Sequence, residues 1–180
     1  TNVDHQFFKA GVDPHSIFAV QGDYGQIQCD KGCHPRVYDN EHLVSQWLAR
    51  TEDLRIPSEL VPVCPVCGGP MGMHLRKDAY FVQDRTWDAA SRRYSRFVQK
   101  ALGGSVVLLE LGVGYNTPGI IRFPYEQMTN ASDAVTLLRF NKKHPQGYPE
   151  NADRTVAFPE DLQETFSALM AMLGIREEMA

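Results

Sequence analysis

Three stretches carry the residue types that could do chemistry: Thr1-Asn2-Val3-Asp4, then Val20-Gln21-Gly22-Asp23-Tyr24-Gly25, then the cysteines Cys29, Cys33, Cys64 and Cys67. Asn2, Asp4 and Gln21 supply two amides and a carboxylate. Such groups orient a polar substrate or stabilise developing positive charge. The cysteines fall as Cys29-x3-Cys33 and Cys64-x2-Cys67, with thirty residues between the pairs. Two close pairs suit a tetrahedral zinc, since each turn presents two thiolates ~2.3 Å from one ion. The second pair sits in Val63-Cys64-Pro65-Val66-Cys67-Gly68-Gly69-Pro70, where glycines behind the last thiol let backbone amides turn toward sulfur. Four thiolates leave no position for water, so the site reads as structural. The competing readings are two disulfides or free thiols, and His34 is an alternative ligand beside Cys33. A composition typical of the cytosol argues against disulfides.

A fourth stretch stands apart from these. Ser105–Leu111 is a continuous apolar run, the pattern of a central parallel strand buried on both faces. It feeds Gly112-Val113-Gly114-Tyr115-Asn116-Thr117-Pro118-Gly119. Open α/β sheets bind ligands at such strand ends, where glycines allow backbone to approach a phosphate or ribose. An ordinary strand-to-helix turn has the same pattern.

The elements that must position these groups follow from periodicity and punctuation. Residues 2–10 read as a strand end running into a short helix, closed by Gly11 and Asp13-Pro14. Ser16–Val20 is apolar and β-prone, a buried strand delivering Gln21 at its end. Tyr24–Cys29 alternates and opens the zinc module. Asp39–Arg50 is a helix with Leu43, Val44, Trp47 and Leu48 on one face. Thr51–Pro62 is a polar loop, and Leu75–Phe81 a strand. Trp87–Leu102 is a helix that packs through Ala89, Ala90, Phe97, Val98, Ala101 and Leu102. Its residues Arg92, Arg93, Arg96 and Lys100 face outward, and Gly103-Gly104 ends it. A further strand, Ala134–Phe140, ends on Asn141. A short strand at Thr155–Phe158 precedes a helix over Pro159–Leu173. This alternation predicts a doubly wound α/β fold.

The composition narrows the function classes. The chain has 180 residues, a net charge of −4 and a pI near 5.8. It therefore has no broad basic surface, which argues against nucleic acid as the main partner and against a nucleic-acid-binding zinc ribbon. Apolar runs such as Val106–Leu109 are far too short to cross a bilayer. With no leader segment in view, the expected compartment is the cytoplasm. The start at Thr1, without an initiator Met, implies an upstream portion.

Together these residues resemble the sirtuin family, over nearly the whole chain but only the later part of the family domain. Thr1-Asn2-Val3-Asp4 resembles the family's Gln-Asn-x-Asp segment, and Gln21-Gly22 its His-Gly. Gly112–Thr117 resembles its Gly-Thr-Ser loop, and Asn141 its strand-end Asn. The resemblance implies a Rossmann-like NAD-binding domain over residues 1–28 and 72–180, with a zinc module inserted at 29–71. The family's Gly-Ala-Gly phosphate loop and first strand would precede Thr1. NAD and Zn2+ would be the cofactors. Asn2, Asp4 and Gln21 would act on the nicotinamide and ribose end. Gly112, Gly114, Tyr115, Asn116 and Thr117 would contact the phosphates, and Asn141 the adenosine.

Two departures refine the resemblance. Sirtuin deacylases carry a histidine base where this chain has Gln21, and a carboxamide has no useful basic lone pair. Their Phe-Gly-Glu strand is replaced by Phe81-Val82-Gln83-Asp84. Both departures fit the macrodomain-linked sirtuin class, which Thr-Asn-Val-Asp-His-Gln-Phe and Gln-Gly-Asp-Tyr-Gly also resemble. That class implies transfer of ADP-ribose to a lipoylated carrier protein related to the glycine cleavage H protein, in an oxidative stress response. A macrodomain hydrolase would be the partner that removes the mark. His5 is expected to be a supporting or surface group. The alternatives are a weak lysine deacylase and an inactive zinc-stabilised fragment.

Overall fold

The computed structural model describes residues 2–175. Thr1, the first residue of one resembling segment, lies outside them. The chain divides into two compact units, Thr1–Arg96 and Phe97–Ala180. Among the described residues each unit holds one three-stranded sheet, antiparallel in the first and parallel in the second. The fold is therefore mixed α/β.

In the first unit a short helix α1 (Gln6–Lys9) precedes strand β1 (Gly22–Cys29). Then come β2 (Val37–Asp39), helix α2 (Glu41–Arg50), β3 (Met71–Leu75) and the long helix α3 (Arg85–Ala101), which crosses into the second unit. The strand order is β2-β1-β3. Ile27, Cys29, Cys64 and Val82 are the buried apolar side chains here. The β1–β3 register shifts between Asp23 and Ile27. Around that irregularity the Tyr24 amide donates to Val3 O at 2.9 Å, which ties the N-terminal segment to the strand.

Three expectations for these elements are corrected. Ser16–Val20 is not a strand. Asp13 caps a 3-10 turn over Pro14–Ser16, accepting from the His15 amide, and the apolar run is satisfied by aromatic packing instead. The Phe18 ring meets Trp87 at 5.1 Å and Tyr94 at 5.7 Å. The expected strand at Leu75–Phe81 ends where it was to begin. Residues 80–82 are held by one buried side chain, since Gln28 donates to Tyr80 O at 2.8 Å and accepts from the Val82 amide at 2.9 Å. That amide does the work of a ladder partner. In α3, Phe97 is 70% exposed and Arg93 is turned inward to His15 O. The stripe facing Phe18 runs through Trp87 and Tyr94, and Phe97 lies ~80° around the helix from Trp87 at 100° per residue.

The second unit is a parallel sheet of β4 (Val106–Leu111), β5 (Val135–Phe140) and β6 (Thr155–Phe158), in that order. Helix α4 (Arg122–Ala131) links β4 to β5, and α5 (Leu162–Met172) follows β6. Alternation along β5 sends Val135, Leu137 and Arg139 to one face, where all three are buried and α4 packs. Phe140 points the other way, stacked on Phe158 at 4.2 Å and near Phe166 of α5 at 6.0 Å. Helices thus lie on both faces. The expectation that 105–111 is a central strand buried on both faces is corrected. It is an edge strand of this sheet, with Val107, Leu109 and Leu111 exposed opposite a buried Glu110. No helix among the described residues is long and apolar enough to cross a membrane.

Candidate functional site

The four cysteines converge. Their sulfurs all lie within 4.8 Å of one another. Cys29 Sγ is 3.7 Å from Cys67 Sγ, and Cys33 Sγ is 3.6 Å from Cys64 Sγ. These separations are too long for disulfides, where S–S is about 2.0 Å. Cys29 ends β1, and the second pair sits in a tight turn closed by Gly68 N–Cys64 O at 2.8 Å and Cys64 N–Gly69 O at 2.7 Å. The Val66 amide points at Cys64 Sγ at 3.4 Å.

The thiols share charge unevenly. The Cys33 amide, above all, pulls Cys29 down to about 6 against the opposing cost of burial, helped by the Lys31 amide and the thiols of Cys33 and Cys67. Cys33 is driven up, by desolvation first and then by its sulfur neighbours. Desolvation opposes ionisation of Cys64, but the Cys67 and Val66 amides and the thiols of Cys33 and Cys67 outweigh it and lower its pKa. A divalent cation removes this conflict, so the cluster can hold a metal ion. His34 stands beside the cluster, with Nδ1 3.1 Å from Cys33 Sγ and Nε2 2.8 Å from the Tyr38 hydroxyl.

A cleft of about 460 Å³ in the same unit is lined by Asn2, Asp4, Gln21, Tyr24 and Arg76, among others. It brings together the three polar residues singled out in the sequence. Asn2 Nδ2 donates to Asp4 Oδ2 at 3.4 Å, and Asp4 Oδ1 accepts from the Gln6 amide at 3.2 Å. Asp4 therefore faces the cleft and also helps start α1. The Gln21 carbonyl accepts from the Arg76 amide at 3.0 Å, which joins the end of β3 to the turn before β1.

Arg76 is the cleft residue that sequence reasoning missed. Its guanidinium lies 4.2 Å from the Phe81 ring centre and 5.4 Å from that of Trp87, and burial lowers its pKa. A lone Arg after a strand gives no signal until the pairing of β1 with β3 is known.

The second unit gathers Gly112, Gly114, Tyr115, Asn116, Thr117 and Asn141 at the carboxyl ends of β4 and β5. Gly112 leaves the strand at φ +64°, which a side chain would strain, whereas a Cβ on Gly114 meets nothing. Asn116 and Thr117 are exposed. Asn141 is buried and committed to the loops: Nδ2 donates to Val113 O at 2.9 Å, and Oδ1 accepts from the Lys143 and His144 amides. It shapes the site rather than reaching into it.

Beneath these loops lies a buried charge network that the sequence did not reveal. Arg139 donates to Glu110 through Nε and Nη2, at 2.8 and 3.0 Å, and through Nη1 to Glu126 at 2.5 Å and to Gln146 O at 2.8 Å. Arg122 donates to Glu110, Val113 O, His144 O and Gln146 O and lies 4.5 Å from the Tyr115 ring centre. Burial works against the charge on Arg139, but Glu110 and Glu126 outweigh it and raise its pKa.

In sequence the chain is similar to protein ADP-ribosyltransferases, although no protein-family profile matches it. It is 32% identical over 163 residues to a protein ADP-ribosyltransferase of Staphylococcus aureus, a match covering 90% of this chain and 52% of that protein. It is also 32% identical over 151 residues to a probable bifunctional ADP-ribose hydrolase/ADP-ribosyltransferase of Fusarium oxysporum, covering 77% of this chain and 24% of that protein. The chain thus spans about half the length of the first relative and about a quarter of the second.

Proposed function

We propose that this chain is part of an NAD-dependent protein ADP-ribosyltransferase of the macrodomain-linked sirtuin class. The proposed acceptor is a lipoylated carrier protein of the glycine cleavage H type, and the proposed partner a macrodomain ADP-ribosyl hydrolase. The observation that carries the reading is Gln21 in one cleft with Asn2 and Asp4, an amide where sirtuin deacylases carry a histidine base. The names of the two relatives support its general part, ADP-ribosyl transfer.

NAD supplies an ADP-ribose whose ribose C1 bears nicotinamide as leaving group. Asn2 offers a donor and acceptor to the ribose or an ordered water. Asp4 offers negative charge where C1 becomes electron-poor. Gln21 orients hydroxyls without removing a proton. In the second unit, which we read as Rossmann-like, the exposed loop from Gly112 to Thr117 at a parallel strand end suits a nucleotide phosphate. Zinc fits the four-sulfur site, since a Zn–S distance of ~2.3 Å gives a tetrahedron edge of ~3.8 Å, close to the 3.7 and 3.6 Å found between sulfurs. Its role is to fix the turns of Cys29–Cys33 and Cys64–Cys67.

The test incubates the full-length protein with labelled NAD and either the lipoylated carrier or an acetyl-lysine peptide. Label passes to the carrier, and Asn2→Ala abolishes the transfer. Brisk deacetylation with an unmodified carrier, improved by Gln21→His, would establish a deacylase instead.

A further inference from the structure

The first unit has a second cleft, of about 380 Å³, walled in part by Phe18 and Trp87. His5 and Asp23 both line it, and the site described above uses neither. His5 Nδ1 lies 2.6 Å from Asp23 Oδ2. The Asp23 side chain is 9% exposed and that of His5 43%, so an almost buried carboxylate holds an accessible imidazole.

The pair is held from several sides. Asp23 Oδ1 accepts from the Gly25 amide at 2.7 Å, and a Cβ on Gly25 would sit 3.1 Å from that oxygen. The His5 ring stacks on Phe8 at 4.5 Å. The His5 backbone is left-handed, at φ 62°, a conformation that non-glycine residues keep only where the surroundings enforce it. Because an ionised carboxylate only accepts, the shared proton sits on Nδ1. In its neutral form the ring then keeps its lone pair on Nε2.

We propose that His5 is the base that takes the acceptor's proton during ADP-ribosyl transfer, with Asp23 as the residue that positions it. This rests on the transferase reading. Gln21 has no basic lone pair, and the carboxylate of Asp4 is already bonded to Asn2 and Gln6. His5 and Asp23 follow Asp4 and Gln21 closely in the chain, so the base is anchored on the segments that carry the first cleft. In the step, the acceptor's nucleophilic atom bonds to ribose C1. The C1–N bond breaks, and its electron pair leaves with nicotinamide. The acceptor's proton moves to His5 Nε2, giving an imidazolium paired with Asp23, and passes to water once the product leaves. His15, Asp84, Arg93 and His74 also line the cleft. Burial lowers the pKa of His74, and its Nε2 and Nδ1 lie against Val82 O and Gln26 Oε1.

The experiment uses the full-length protein, labelled NAD and the lipoylated carrier as acceptor probe. His5→Gln lowers kcat for transfer by about 10²–10⁴-fold, the usual contribution of a general base, while KM for NAD stays within about threefold. Added imidazole restores part of the rate to His5→Ala. Nitrogen NMR of the wild type finds the His5 proton on Nδ1, and Asp23→Asn, which keeps an acceptor for the Gly25 amide, shifts that tautomer and slows transfer. Undiminished transfer by His5→Gln, a His5→Ala defect that imidazole leaves untouched, or a proton found on Nε2 overturns the proposal and leaves the transferase reading standing. No nicotinamide release by the wild type overturns both.

Discussion

Replacing Glu110 by Gln tests whether the charge network under the second unit's loops behaves as one object. Glu110 is 1% exposed and receives three contacts, two from Arg139 and one from Arg122. Two arginines face two glutamates, so the buried charges balance. Glu110→Gln keeps the shape but leaves two guanidiniums against Glu126 alone, and turns an amide donor toward N–H groups that need an acceptor. Removing one partner of a buried ion pair costs about 3–5 kcal/mol. For a unit of this size that lowers the midpoint by on the order of 4–8 °C per kcal/mol. Adding Arg139→Met restores the charge count, with one arginine, Arg122, and one glutamate, Glu126, left in the network. The double variant should then lose about 1–3 kcal/mol less than the sum of the single losses. Urea denaturation followed by circular dichroism measures all three. Additive losses, or a single-variant loss below about 1 kcal/mol, the level of an exposed pair, would refute the coupling.

Other perturbations probe the first unit. Metal removal with a strong chelator should unfold the loops around the cysteines, and Cys29→Ser should release the metal to a chromogenic chelator far faster than the wild type does. Gly22→Ala places a Cβ 1.9 Å from the His74 carbonyl oxygen at φ +91°. It should cost more than the ~1–3 kcal/mol of ordinary overpacking, read as lost soluble yield or a lowered denaturation midpoint. Burial lowers the pKa of His74 against the pull of Val82 O and the charges of Asp84 and Asp23. The unfolded chain therefore binds more protons there, and this unit's stability is full above the unfolded histidine pKa of about 6.5 and declines as pH falls below it. His74→Gln should flatten that decline in denaturation curves taken between pH 5 and 8.

What could be read from the sequence was local. Metal-ligand spacing is a property of two short turns, so the cysteine cluster needed no fold. The helices α2, α3 and α5 followed from periodicity and caps, and β5 and β6 from β-prone runs between turn residues. Two of the errors came where a side chain replaced a backbone partner. Phe18 against Trp87 and Tyr94 mimics a buried strand, and Gln28 substitutes for a ladder at residues 80–82. Asp23 and His5 lie eighteen positions apart and meet where the Tyr24 amide binds Val3 O at the β1 irregularity.

The buried network did leave a trace in the chain. Glu110 and Arg139 each stand one residue before the end of a strand with no other charged residue. In a parallel pair aligned at those ends, the two positions become neighbours, as the register Glu110↔Arg139 bears out. Opposite charges at matching depths in successive strands are therefore a pairing signal, because neither could be buried without the other. The same residues tie down the exposed loops beyond those strands. The carbonyls of Val113, His144 and Gln146 are bound from below by the guanidiniums of Arg122, on α4, and Arg139, on β5. The cost of burying charge is thus offset partly by backbone acceptors in the loops, and one of them, Val113 O, belongs to the loop proposed to meet a nucleotide.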